Sequence, residues 1–150
     1  ANAAHLTKLL SQIPGITPAR MYEGCTRNAY HLYMFRYDAT RFAGLPRAAF
    51  LKALAGEGIP AQAGYTPLNK QPVLEDAFSA PGFQTIYSKA RLDQWRARNQ
   101  CPQNDRLCTE AVWLVQTMLL GPRQDMEDIG EAIRRVQATA SQLVKTTAAK

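Results

Sequence analysis

The sequence has few of the residues from which proteins build disulfide frameworks and metal sites. It contains 3 cysteines and 2 histidines among 150 residues. A small, odd number of cysteines excludes a disulfide-stapled scaffold and suits a reducing compartment, so we expect a cytoplasmic protein. Cys101 and Cys108 have the wrong spacing for a zinc knuckle, and Cys25 has no neighbouring histidine. We therefore expect no metal site, and we expect Cys108 to be a thiol of the hydrophobic core.

Long apolar runs are also missing. The longest strongly apolar stretch, residues 111–120, contains Gln116 and Thr117 and is far short of the roughly 20 residues that cross a bilayer. The chain opens without a charged segment leading into an apolar stretch and a cleavage site, which predicts no signal peptide. Residues 2–13 are helically periodic without a cap upstream, so we expect the chain to start midway through a helix. We expect a soluble protein with no membrane partner.

Two kinds of catalytic motif are absent. There is no GxGxxG and no glycine-rich loop ending in Lys-Ser or Lys-Thr, so the sequence predicts no phosphate cradle of its own. Only His5 and His31 offer an imidazole, and neither stands in a pattern that indicates a nucleophilic triad. His31 lies in an aromatic strand, where a packed histidine with a hydrogen-bond partner is the favoured interpretation and a site-facing role is the alternative.

Positive charge is what the sequence does have. Its 18 Lys and Arg residues against 12 Asp and Glu residues give a net charge of +6, which favours an anionic partner. Residues 89–106 combine four arginines with Trp95 and can grip phosphates or stack a base. The favoured interpretation is a solvated loop or short helix whose tryptophan packs inward.

A second candidate segment is GYTPLNK, residues 64–70. Tyr65, Asn69 and Lys70 can project hydrogen-bonding groups from a loop that follows a short strand. A purely structural turn explains the same pattern equally well.

Periodicity and turn residues predict alternating helices and strands in a chain long enough for one core. The last helix is the clearest, because six apolar residues recur in it at steps of three and four: Met126, Ile129, Ile133, Val136, Ala140 and Leu143. The chain is also predicted to contain a helix at 2–13 that stops at Pro14-Gly15, strands at 16–22 and 28–37, a helix from Pro46 to 56 and an edge strand at 59–65. Pro67, Pro72 and Pro81 break the pattern at 66–99, which is predicted to be irregular with at most a short helix at 73–78. A helix from Pro102 to 112 and a strand at 114–120 follow.

This order predicts an α+β fold, an α/β sandwich in which a small, mostly antiparallel sheet of about 3–4 strands is covered by helices. The strand at 28–37 is aromatic on both alternating faces, so we expect it to be central and covered on both sides. The short turn at Glu23-Gly24 favours antiparallel pairing of the first two strands. The strand after the helix at 46–56 can be reached by a parallel crossover or by an antiparallel return.

Four runs cover nearly the whole chain: ANAAHLTKLLSQIPGI, NAYHLYMFRYD, GLPRAAFLKALAGEGIPAQAGYTPLNKQPVLEDAF and CPQNDRLCTEAVWLVQTMLLGPRQDMEDIGEAIRRVQ. Together they resemble the C-terminal part of one enzyme family, the DegT/DnrJ/EryC1/StrS aminotransferases. The resemblance implies the small domain of a fold-type I transferase that uses pyridoxal phosphate, with residues 1–15 in the helix joining two domains, 16–145 as the small domain and 146–150 as a frayed tail.

The resemblance also implies a division of labour. The family's cofactor lysine belongs to a large domain, and none of the lysines here occupies a matching position. We expect the parent enzyme to use pyridoxal phosphate and this chain alone to bind none and to be inactive. The implied partners are a large domain of the same parent chain, a second copy in a homodimer, an amino-acid donor (glutamate or glutamine) and a keto sugar, nucleotide-linked, or a keto-cyclitol as acceptor.

Site residues follow from the same comparison. Tyr65 matches the aromatic residue after the family's GI strand, near the site. Asn69 and Gly64 fall where family members often have histidines, and His31 matches the histidine of the family's HxYHLY strand. We therefore expect Tyr65, Asn69, Lys70 and His31 to contribute to substrate binding, with no catalytic residue in the chain. The alternative is a stand-alone basic module that binds nucleic acid or another protein.

Overall fold

The computed structural model describes residues 1–148, which form two compact units. Unit 1 combines Ala1–Gly64 with the chain from Glu110 onward, and unit 2 is Tyr65–Thr109. The elements, in chain order, are α1 (Asn2–Leu10), β1 (Ile16–Pro18), β2 (Leu32–Tyr37), α2 (Arg47–Gly56), β3 (Gln62–Ala63), α3 (Pro72–Ser79), α4 (Pro81–Ile86), α5 (Lys89–Arg98), α6 (Pro102–Glu110), β4 (Ala111–Val115) and α7 (Arg123–Ala148), with short 3-10 turns at Ala39–Phe42, Leu68–Lys70 and Gln116–Leu119.

Unit 1 is built on a four-stranded sheet of order β1-β2-β4-β3, in which each neighbouring pair is antiparallel. The predicted α+β class, the antiparallel pairing of the first two strands and the central position of β2 are confirmed. The strand after α2 does not pair with β2 at all, because β4 occupies that side and β3 adds beyond it.

Only one face of the central strand is fully buried. Tyr33, Phe35 and Tyr37 alternate along β2 and are at most 3% exposed, whereas Met34 is half-buried and Arg36 is exposed. The prediction of a strand covered on both sides is therefore wrong for the second face. An aromatic strand has apolar side chains on both faces, and that pattern does not report which face the helices cover.

Aromatic rings join the sheet to α2. The ring of Tyr37 stacks on Phe50 with centroids 4.2 Å apart, and Phe42 meets Phe50 edge-on at 5.4 Å. The Tyr37 hydroxyl donates to the carbonyl of Leu45 at 2.7 Å, so the buried polar end of the ring is satisfied.

The long helix α7 confirms the predicted stripe. Five of its six residues are buried and Leu143 is half-buried against the same core. Arg135 binds Glu57, just after α2, at 2.8 Å. The helix continues through Ala148, so residues 146–148 of the predicted frayed tail are helical, and residues 149–150 lie outside the described residues.

Several boundaries differ from the prediction. Helix α1 ends at Leu10 and turns lead to Gly15, whose φ of +91° confirms the predicted left-handed turn. The strand predicted at 114–120 is present with different bounds: β4 runs from Ala111 to Val115, and Val115 pairs with Leu32, the first residue of β2. Beyond that pair no ladder partner remains, and the apolar run continues as a 3-10 turn.

Unit 2 is helical, and the prediction of an irregular segment at 66–99 is wrong. Pro72 and Pro81, two of the prolines predicted to break the pattern, are instead the first residues of α3 and α4, and Pro102 begins α6 as predicted. Proline is favoured at that position because its missing N–H would have no partner there. The hydroxyl of Ser88 accepts from the backbone N–H of Arg91 and caps α5.

Candidate functional site

Two of the predicted site residues come together in a cleft of unit 2. This polar cleft has a volume of about 200 Å³. The residues that line it are Asn69, Lys70, Gln71, Glu75, Trp95, Arg96, Asn99 and Gln100.

Hydrogen bonds fix the positions of Asn69 and Lys70 at the cleft. Both lie in the 3-10 turn that precedes α3. The Asn69 amide donates to the carbonyl of Asn99 at 2.6 Å, and the Asn99 amide donates to the carbonyl of Trp95 at 2.8 Å. Lys70 Nζ lies 2.7 Å from Oδ2 of Asp105, whose other oxygen is buried without a hydrogen-bond partner among the described residues.

Glu75 and Arg96 supply most of the remaining charge. The Arg96 guanidinium donates from Nε to both oxygens of Glu75 at 3.1 Å and from Nη2 to Oε2 at 2.8 Å. These bonds lower the pKa of the Glu75 carboxyl and raise the pKa of Arg96. Arg96 also donates to Asp93, whose pKa is lowered chiefly by its hydrogen bond from Lys89. The cleft therefore offers paired charges and amides, which suits binding and orientation of a polar ligand rather than proton transfer.

The basic segment at 89–106 comprises α5 and the start of α6 with a short break between them, and it confirms the favoured interpretation of a solvated loop or short helix with an inward-packed tryptophan. Trp95 is half-buried and its ring packs edge-on against Phe78 at 4.7 Å. Lys89 and Arg96 are bound to acidic neighbours. Residues 65–109 contain six Lys and Arg residues and four Asp and Glu residues, so the unit carries only a small excess of positive charge.

Tyr65 is the first residue of unit 2 and does not line the polar cleft. Its side chain is 67% exposed. The chain just before it is held at the edge of the sheet, since Gly64 N–H donates to the carbonyl of Ala111 at 2.9 Å and the Trp113 indole donates to the carbonyl of Ala63 at 2.6 Å.

His31 belongs to unit 1, where it stands directly before β2. Its side chain is exposed, so the interpretation as a packed histidine is wrong. The strand begins one residue later, and the alternation of buried rings starts at Tyr33 rather than at the histidine.

Glu75, Asn99 and Gln100 also line the polar cleft and were not among the predicted site residues. Sequence spacing indicates the positions of Asn99 and Gln100, because they follow Trp95 and Arg96 by four residues, and residues four apart lie on the same side of a helix. This inference depends on predicting a helix at 89–98, which the prolines on either side made difficult.

The thiols offer little chemistry. Cys25 and Cys101 are exposed and Cys108 is half-buried in α6, so the prediction of a core thiol for Cys108 is wrong. Cys108 and Val112 are four residues apart and would share a buried face in one continuous helix, but α6 ends at Glu110 and Val112 belongs to β4. Within residues 1–148 there is no cluster of His, Cys, Asp and Glu that could hold a metal ion. None of the helices in that range is long and apolar enough to span a bilayer.

Comparison with known proteins gives a consistent result. A sequence profile of the DegT/DnrJ/EryC1/StrS aminotransferase family matches residues 1–134. The chain is 32% identical over 148 residues to a putative L-glutamine:3-amino-2,3-dideoxy-scyllo-inosose aminotransferase of Streptomyces kanamyceticus, covering 95% of this chain and 35% of that protein. It is 30% identical over 136 residues to the L-glutamine:2-deoxy-scyllo-inosose aminotransferase of the same organism, covering 90% of this chain and 31% of that protein.

A solved structure agrees with these relatives. The crystal structure of 3-amino-5-hydroxybenzoic acid (AHBA) synthase matches with a TM-score of 0.66 and 26% identity, covering 91% of this chain and 33% of that one. The chain thus spans about a third of the length of the proteins it matches. Because the family profile covers most of the sequence and the fold agrees, the chain belongs to the DegT/DnrJ/EryC1/StrS aminotransferase family.

Proposed function

We propose that this chain is the small domain of a pyridoxal phosphate-dependent aminotransferase that transfers an amino group from L-glutamine or glutamate to a keto-cyclitol. The observation that carries the proposal is the family match over residues 1–134. The names of the relatives favour glutamine as donor and a scyllo-inosose as acceptor. A nucleotide-linked keto sugar is the second acceptor class, which the family resemblance supports and these names do not.

The lysines within residues 1–148 do not fit a covalent cofactor site. Lys8, Lys52, Lys70, Lys89 and Lys145 are all exposed, and Lys70 and Lys89 are bound to carboxylates. A lysine that forms a Schiff base needs a neutral amine, which requires a buried or electropositive setting. We therefore propose that the cofactor lysine comes from a large domain in the same longer polypeptide, within a homodimer, and that this chain binds no pyridoxal phosphate alone.

In that assembly the chain's own residues bind and orient the acceptor. Asn69 and Lys70, held by Asn99 and Asp105, present an amide and an ammonium group at the polar cleft. Tyr65 and His31 are exposed side chains that can donate to or accept from hydroxyl groups. A polyhydroxylated ring needs many such groups, and holding it in one orientation is a substantial part of catalysis.

The proposed division into domains follows the same assignment. Residues 1–15 contribute to the helix that joins the two domains, and 16–145 form the small domain. Exposed thiols at Cys25 and Cys101 suit a reducing compartment, and we propose the cytoplasm.

The test compares two polypeptides. The first carries this chain together with the residues that precede it in its reading frame, and we expect it to convert 2-deoxy-scyllo-inosose to the amine when supplied with L-glutamine and pyridoxal phosphate. The second is the chain alone, which we expect to show no turnover and no borohydride-trapped adduct. If the longer polypeptide aminates no keto-cyclitol and no nucleotide-linked keto sugar, the proposed reaction is contradicted. If the chain alone forms a stoichiometric borohydride-trapped adduct, the proposal that the cofactor lysine lies in the large domain is contradicted.

A further inference from the structure

Unit 2 holds a second cavity whose lining is chemically unlike that of the polar cleft. This aromatic pocket has a volume of about 240 Å³. Its lining residues come from α3, α4, the turn after α4, and α5: Phe78, Phe83, Tyr87, Arg91, Leu92 and Trp95.

Four rings in edge-on and tilted contact form most of the wall. Trp95 meets Phe78 at 4.7 Å with an interplanar angle of 71°, and Phe78 meets Phe83 at 5.9 Å and 64°. Phe83 and Tyr87 are 5.8 Å apart and tilted by 35°. Rings fixed at such angles present both faces and edges to a planar guest, which are the two geometries that aromatic pairs prefer.

The pocket has a buried base and an open rim. Phe78 and Leu92 are 7% and 8% exposed, whereas Phe83 and Tyr87 are 39% and 43% exposed. An apolar cavity of about 150 Å³ is enough to take up benzene. The aromatic pocket is therefore large enough for one six-membered ring with a small substituent.

The charge of the lining residues determines whether the pocket favours a cationic or an anionic ligand. A cage of aromatic rings often binds a cation, but such a cage carries no positive charge of its own. Among the described residues that line this pocket, Arg91 is the only charged one. Its Nη1 donates to Oε1 of Gln94 at 3.0 Å, which leaves the other N–H groups of the guanidinium for a ligand.

The acidic residue of α5 does not reverse the preference for an anionic ligand. Asp93, the one acidic residue of α5, is bound by Lys89 at 2.6 Å and by Arg96 at 2.9 Å and is not part of the lining. A carboxylate matches the planar fork of a guanidinium in two parallel hydrogen bonds. We propose that the aromatic pocket binds a planar aromatic carboxylate, with the ring between the aromatic side chains and the carboxylate on Arg91. This site is separate from the amino-transfer function and does not depend on it.

The probe for the test is benzoate, and the readout is the indole N–H resonance of Trp95 in an NMR titration of the chain. The only other tryptophan, Trp113, lies in β4 of unit 1 and serves as an internal control. We expect saturable shifts at Trp95 with a Kd of about 1 mM, since benzoate has few atoms with which to bind, and no shift at Trp113. Benzamide, which keeps the ring and loses the charge, should bind about tenfold more weakly, and benzylamine more weakly still.

Two matched variants on α5 distinguish the effect of the Arg91 guanidinium on benzoate binding from the effect of losing any positive charge of this helix. Arg91→Gln should weaken benzoate binding about tenfold and leave benzamide binding unchanged. Arg98→Gln removes a charge from the same helix at a position that does not line the pocket, and it should change neither. The proposal is overturned if the Trp95 resonance shows no saturable shift up to the solubility limit of benzoate, or if benzylamine binds as tightly as benzoate. It is also overturned if Arg91→Gln and Arg98→Gln change the Kd for benzoate by the same factor.

Discussion

The hydroxyl of Tyr33 lies 2.8 Å from Oγ1 of Thr7 and joins the central strand β2 to helix α1. Thr7 donates its own hydroxyl hydrogen to the carbonyl of Ala3 at 2.8 Å, so Tyr33 is the donor in the pair. The Tyr33 side chain is otherwise enclosed in the core, at 2% exposed.

The stability of unit 1 should therefore fall in strong alkali. Burial raises the pKa of Tyr33 to about 12, so the folded state holds the phenolic proton more tightly than the unfolded state does. The stabilisation is complete below the unfolded pKa of about 10 and is lost as the pH rises towards 12. We expect denaturant midpoints of the chain to decline over that range.

Tyr33→Phe isolates this effect. The variant should cost about 1 kcal/mol at neutral pH through the lost hydrogen bond, and its midpoint should decline less between pH 10 and 12. Part of the decline should remain, because burial also raises the pKa of Tyr37. Parallel curves for the two proteins would show that Tyr33 does not titrate in this way.

Two glycines with similar backbone angles should respond differently to alanine. Gly15 and Gly58 have φ values of +91° and +83°, but a Cβ on Gly15 would lie 2.5 Å from Cβ of Arg41, whereas a Cβ on Gly58 would meet no atom within 4 Å. Gly58→Ala should cost about 1 kcal/mol for the left-handed conformation alone. Gly15→Ala should cost about 2 kcal/mol more, because the backbone before β1 must move. Equal losses in the free energy of unfolding would contradict the close approach.

The ion pair of Arg96 and Glu75 should be visible in an acid titration. Its hydrogen bonds hold the Glu75 pKa below the ordinary value, so the pair stabilises the fold above the unfolded pKa and stops doing so as the pH falls through the folded pKa. Following the Glu75 carboxyl by NMR, we expect Arg96→Gln to return its pKa towards the ordinary value and Arg98→Gln to leave it in place. If the pKa of Glu75 is the same in Arg96→Gln as in the unmodified chain, the ion pair of Arg96 and Glu75 does not persist in solution.

Tyr65 should affect acceptor use rather than folding. Its side chain is 67% exposed, so Tyr65→Ala in the polypeptide that includes the preceding residues should change the unfolding midpoint little. We expect a fall of about tenfold in kcat/KM for the keto acceptor and an unchanged KM for the amino donor. Leu68→Ala, at a 78% exposed neighbouring position, is the control and should leave both constants unaltered. Normal kinetics for Tyr65→Ala with every acceptor would exclude a binding role.

Nucleic acid should not bind tightly to the chain. Lys89 and Arg96 of the basic segment are already bound to Asp93 and Glu75, so fewer cations are available to release counterions from phosphates. Fluorescence anisotropy with labelled single-stranded DNA should give only weak association at physiological salt. A tight complex whose binding constant falls steeply with salt would instead support the basic binding module.

Much of unit 1 could be predicted because its signals are periodic and local. The stripe of α7 follows from the helical repeat of its apolar residues, and the turn at Gly15 follows from the local Pro14-Gly15 pair. Unit 2 was predicted less well, since Pro72 and Pro81 were read as breaks and in fact begin helices. A proline marks a boundary in either case, and the sequence does not say on which side of it the helix lies.

The candidate residues show the same contrast. Asn69 and Lys70 were found as polar residues in a loop after a strand, but Glu75, Arg96 and Asn99 join them only because α3 and α5 pack together. His31 was misjudged because its aromatic neighbours begin to alternate only where β2 pairs with β4.

By itself, the sequence determined the family and the α+β class, since both are recorded in residue order and type. Only the tertiary structure decided that Trp95 lines both the polar cleft and the aromatic pocket, and that Arg91 is the charged residue of the aromatic pocket. The physical reason is that a cavity is defined by side chains from several helices, whose distances depend on packing and not on spacing along the chain.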